Sequence, residues 1–133
     1  MKHQTRKPDL RISSALEKEA VNKTITCNQV HDVAKALGIS PKDAGIQADL
    51  MELRLKQCCL GLFGYEPDGK NLDKNIEVSE KLSVAIKKIA HNGTTTCIQC
   101  WKLTSELGMK HLETGSSCEK LGIKIKKCQI GAF

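Results

Sequence analysis

Aromatic residues are nearly missing: one Trp, one Tyr and two Phe make up 3% of 133 residues. Any core must therefore be aliphatic, built from Leu, Ile, Val, Ala and Cys. No apolar run approaches the roughly 20 residues that a membrane-spanning helix needs. The opening Met1-Lys-His-Gln-Thr-Arg-Lys-Pro8 has no apolar run after its charges, unlike a secretory leader. A soluble, cytoplasmic chain with no membrane partner is the expectation. G-x-G-x-x-G, the P-loop and H-E-x-x-H are all absent. His3, His31, His91 and His111 are scattered. No catalytic constellation emerges, so neither an enzyme nor a cofactor is expected.

What is present is one segment that occurs twice. Thr26–Gly64 and Thr96–Phe133 align without a gap at an offset of 70. Extended back to Ile12 and Leu82, the alignment covers 52 positions with 16 identities. Chance would give about 3 at ordinary residue frequencies. The matches include Thr26/Thr96, Cys27/Cys97, Gln29/Gln99, Gly38/Gly108, Gly45/Gly115, Cys58/Cys128, Gly61/Gly131 and Phe63/Phe133. Such a pattern reads as a duplicated domain. The expected organisation is a mobile basic tail (1–10), a first repeat (11–64), a linker (65–75) and a second repeat (76–133).

Both copies open on a capping box, Thr26-x-x-Gln29 and Thr96-x-x-Gln99. The apolar spacing of Cys27, Val30, Val33, Ala34 and Leu37, and of Cys97, Cys100, Leu103 and Leu107, predicts a helix with one buried stripe. Gly38 and Gly108 stand where a helix ends. Ser40-Pro41 starts a second helix, with Ala44, Ala48 and Met51 on its buried side. Helices are also expected over 12–21 and 76–90, the latter burying Val78, Leu82, Ala85, Ile86 and Ile89. Alternation predicts strands over 53–60, bent near Gln57, and over 123–130. Residues 22–25 read as a turn. The fold class is mainly α with short β: two tandem copies of a three-helix, one-strand unit. A lone strand leaves its backbone groups unpaired, so the two strands are expected to pair with each other.

Two short helices, a Gly-containing turn, and a small residue (Ala34, Thr104) facing that turn resemble a helix-turn-helix. With the strand, each copy is similar to a winged-helix-like DNA-binding domain of small prokaryotic-type regulators, its wing reduced. The likeness covers about 22 residues per copy. It departs from the common pattern at Gln47 and Ser117, where a large aliphatic residue is usual. The resemblance implies double-stranded DNA as partner and a role in transcription regulation. Lys42 and Lys120 on the second helices, with Arg54, Lys56, Lys124, Lys126 and Lys127 on the strands, would hold phosphates. Gln47 and Ser117 would lie nearest to base edges.

A net charge of +6 permits polyanion binding without requiring it. The alternative is a non-catalytic protein-interaction module with a protein partner. A third class is a cysteine-based metal or redox sensor. By count, Cys97, Cys100, Cys118 and Cys128 could hold zinc, but the second pair lacks the knuckle spacing. Cys100 aligns with Val30 and Cys118 with Ala48. Both read as small apolar core positions, so no metal is expected.

Overall fold

The computed structural model describes residues 9–66 and 69–132. Among these the chain is mainly helical, with six α-helices and four short strands in two small sheets. No helix among the described residues is long and apolar enough to cross a membrane. The chain forms two compact units. One holds residues up to Cys58 together with Gln129–Ala132, and the other holds Cys59–Cys128.

In the first unit, α1 (Leu10–Glu19) starts where Asp9 caps it, its carboxylate accepting from the Arg11 and Ile12 N–H groups. Asp9 and Leu10 thus belong to the helix start and not to a tail; residues 1–8 lie outside the described residues. Asn22 and Lys23 form a tight turn, both left-handed at φ 50° and 63°. β1 (Thr24–Thr26) follows and leads directly into α2 (Cys27–Leu37). At that junction both halves of the capping box are made. The Thr26 hydroxyl accepts from Gln29 N–H at 3.0 Å, and Gln29 Oε1 accepts from Thr26 N–H at 2.9 Å. α2 ends on left-handed Gly38. Ser40 caps α3 (Pro41–Leu50), with Pro41 in its first turn. β2 (Arg54–Lys56) stops at Gln57, whose φ of 51° bends the chain. The core gathers Ile12, Leu16, Ile25, Cys27, Val30, Val33, Ala34, Ala44, Ile46 and Ala48, completed by Ile130.

The second unit runs through α4 (Glu80–Ile89), β3 (Thr94–Thr96), α5 (Cys97–Leu107), α6 (His111–Lys120) and β4 (Lys124–Lys127). Its first helix starts at Glu80 and not at Ile76, because Ser79 Oγ accepts from Leu82 N–H; Val78 precedes the helix and is half-buried. The Thr96 box is made only in part. Its hydroxyl accepts from Gln99 N–H at 3.3 Å, but the Gln99 carbonyl takes the Thr95 and Thr96 hydroxyls. The stretch after the first repeat is pinned down. Asn71 N–H donates to Gly61 O, and Asp73 N–H donates to Ser116 Oγ on α6, each at 2.8 Å.

The expected pairing of strands 53–60 and 123–130 is not found. β1 pairs with β2, and β3 with β4, both in parallel. Thr24-Ile-Thr26 and Thr94-Thr-Thr96 supply β-branched, extended residues where a turn was expected. A parallel pair needs a crossover of a dozen or more residues, and the two intervening helices provide it. The turn itself is confined to Asn22-Lys23 and Asn92-Gly93, closed by the Val21–Thr24 and His91–Thr94 bridges.

Candidate nucleic-acid interface

The second helices are not surface helices. Ala44, Gly45, Ile46, Gln47 and Ala48 are all buried in α3, as are Thr114, Gly115, Ser116, Ser117 and Cys118 in α6. Five consecutive residues of an α-helix point right around its axis. The middle of each helix therefore has no exposed face. Glycine is the reason the helices can be so enclosed. A Cβ on Gly45 would collide with the Ile130 carbonyl, and one on Gly115 with the Leu60 carbonyl. Backbone lies directly against both.

Gln47 and Ser117 are consequently internal. Gln47 is 6% exposed, and its Oε1 accepts from Asp9 N–H at 3.0 Å, tying α3 to the start of α1. Ser117 is fully buried and donates to the Glu113 carbonyl at 2.7 Å. The place proposed for them beside base edges is taken by packing. The signal was in the sequence: both stand where the helix-turn-helix pattern puts a core residue.

The cationic candidates lie at the surface. Lys42 is exposed in the first turn of α3, Arg54 is exposed on β2, and Lys56 is half-buried. Lys120 is exposed, with its Nζ donating to the Ile76 carbonyl at 2.6 Å. β4 carries the densest group. Ile125 points into the core, while Lys124, Lys126 and Lys127 are exposed. Strict alternation would send Lys126 and Lys127 to opposite faces. The register slips between Thr95 and Thr96, so Lys127 pairs with Thr96, and this irregularity leaves both lysines outward. Among the described residues none of these three lysines forms an ion pair.

Lys124 and Lys126 also edge a cleft of about 790 Å³ within the second unit. Its floor is apolar, from Leu62, Ile123, Ile125 and Cys118, and Lys70 stands on its rim. Lys70 carries no sequence signal of its own, lying in the turn-rich stretch read as a linker. Lys70 faces Glu119 at 3.6 Å; both are about half exposed, so the pair adds little stability. On the α5–α6 side, Trp101 stacks on His111 with centroids 4.1 Å apart. Burial holds the imidazole below its usual pKa, since desolvation disfavours the cation.

No group of three or more His, Cys, Asp or Glu among the described residues is placed to hold a metal ion. No disulfide joins the cysteines. The chain matches no known protein-family model, no curated protein and no solved structure.

Proposed function

We propose that the chain is a tandem duplication of a helix-turn-helix-like unit that binds duplex DNA through its phosphates, without catalysis. The lysines of β4 are its main contact, and α3 and α6 are scaffold. One observation carries this reading: Lys124, Lys126 and Lys127 are outward-facing cations with no carboxylate partner among the described residues, in a unit whose second helix, α6, is buried along its middle. Lysines act on phosphate as point charges and carry little sequence information. The regulator implied by the helix-turn-helix likeness would accordingly bind DNA with weak sequence preference. The test is equilibrium binding to random duplex DNA between about 50 and 200 mM salt, the range over which counterion release is steep. Log affinity should fall linearly with log salt, and duplexes of different sequence should compete about equally. No binding at about 50 mM salt would remove the reading.

A protein-interaction module is the second reading, favoured by a groove between α4 and α5. Val84, Ala85, Ile89, Leu103 and Leu107 line it, and Val84 is 48% exposed. Seventy residues earlier the chain has Ser14 for Val84 and Glu19 for Ile89. The apolar character is thus particular to the second unit. Failure to bind DNA, with loss of a protein partner on Val84→Ser, would support this reading instead.

A further inference from the structure

The cleft edged by Lys124 and Lys126 combines an open apolar bed with uncompensated positive charge. Its volume of about 790 Å³ falls within the range of small-molecule sites, roughly 300–1,000 Å³. Leu62, Phe63 and Ile123 line it and are only half-buried, so the second unit leaves apolar side chains open to solvent there. On the rim, Lys70 is taken up by Glu119 at 3.6 Å. Among the described residues, Lys124 and Lys126 are then the unpaired charges at its edge. An apolar bed beside two unpaired ammonium groups complements one kind of solute, with an apolar body and a negative head.

We propose that this cleft binds a small amphipathic anion, with its apolar body on Leu62, Phe63 and Ile123 and its carboxylate at Lys124 and Lys126. The body gains by leaving water. The head gains charge-assisted contacts with two ammonium donors, each modest because both lysines are exposed. The head therefore orients the ligand and selects against neutral ones, while the apolar body supplies most of the affinity. The first unit shows what would spoil such a site. Seventy residues before Gly122 the chain has Glu52, in the same left-handed backbone, φ 57° against 71°. Gly122 lines the cleft, and nothing lies within 4 Å of a Cβ built on it. A carboxylate at this place would add negative charge to the cleft and oppose an anionic head. The second unit has no side chain there at all. A bound anion would also compete with phosphate for Lys124 and Lys126; that competition rests on the DNA reading, whereas the site itself does not.

The experiment titrates the full-length chain with sodium octanoate near pH 7 and follows backbone amides by NMR, with no DNA present. The amides of Gly115, Gly122, Ile123 and Lys124 should shift and saturate by about 1 mM. Acetate, a head without a body, should shift none of them. Octanamide, a body without charge, should bind about five- to tenfold more weakly, the loss expected of two exposed ion contacts. Lys124→Gln/Lys126→Gln should bring octanoate down to the affinity of octanamide and leave octanamide binding unchanged. Gly122→Glu, which copies Glu52, should weaken octanoate and spare octanamide. Both lysines are exposed, so their double variant decides if Gly122→Glu fails to fold. No saturable shift by about 1 mM, shifts confined to the Val84 groove, or equal affinity for octanoate and octanamide overturns the proposal. None of these readouts changes if the chain fails to bind DNA.

Discussion

Two polar side chains show how burial assigns a role that residue type alone leaves open. Gln47 could read adenine on an exposed helix, but on α3 it closes a bond to Asp9 N–H. Gln47→Ala removes the acceptor at the head of α1. It should lower stability by about 1–3 kcal/mol and leave DNA affinity unchanged, checked by denaturation midpoint and duplex titration. A normal midpoint with altered sequence preference would restore the base-reading role. His111 makes a pH prediction. Its folded pKa lies below the unfolded value because burial disfavours the charged ring. On lowering pH, the unfolded chain therefore takes up this proton first. The stability associated with neutral His111 is complete above about pH 6.5 and is lost as pH falls from there through the folded value. The denaturant midpoint should drop between pH 8 and pH 5, and His111→Gln should show a smaller drop; equal drops would contradict this assignment.

Among the elements, glycine placement matters more than helix propensity. Gly45 and Gly115 sit mid-helix, where glycine is unfavourable relative to Ala by about 0.5–1 kcal/mol. On propensity alone Gly45→Ala would stabilise α3. The Ile130 carbonyl in the way of a Cβ reverses the sign. Gly45→Ala and Gly115→Ala should each destabilise by about 3 kcal/mol, the upper part of the usual overpacking range, because backbone yields less readily than a side-chain tip. A raised melting temperature in either variant would show that the segment at 130 or 60 does not lie on the helix. Much at this scale was legible beforehand. Thr26, Ser40 and Thr96 announced helix starts, and Gly38 and Gly108 announced ends, since capping is local chemistry carried by one or two residues. β1 and β3 were not legible, because three residues hold no measurable alternation and their partners lie about 30 residues away. The slip at Thr95–Thr96, which turns two successive lysines outward, is likewise set by pairing and not by the strand's own sequence. The burial of α3 and α6 was half legible. A glycine kept at the same mid-helix place in both copies hints at close backbone approach, but only the fold identifies what approaches.

At the scale of the whole molecule, repeat and unit do not coincide. Ile130 lies beyond the first repeat in sequence yet completes the core of the first unit, and Leu60, from the first repeat, belongs to the second. Internal similarity is read along the sequence, whereas compact units are drawn by which segments pack together. The same distinction governs function. The helix-turn-helix likeness pointed to the second helices as the reading elements, and packing encloses them, so the surface charge of β4 becomes the feature on which the proposed DNA binding rests. The most direct measurement compares salt slopes for random duplex binding. The variant Lys124→Gln/Lys126→Gln/Lys127→Gln should lose affinity for every duplex and flatten the slope by about 1 per lysine, while Lys42→Gln should change it by less. An unchanged slope in the triple variant, or a larger loss from Lys42→Gln, would contradict the account and return the interface to the helices.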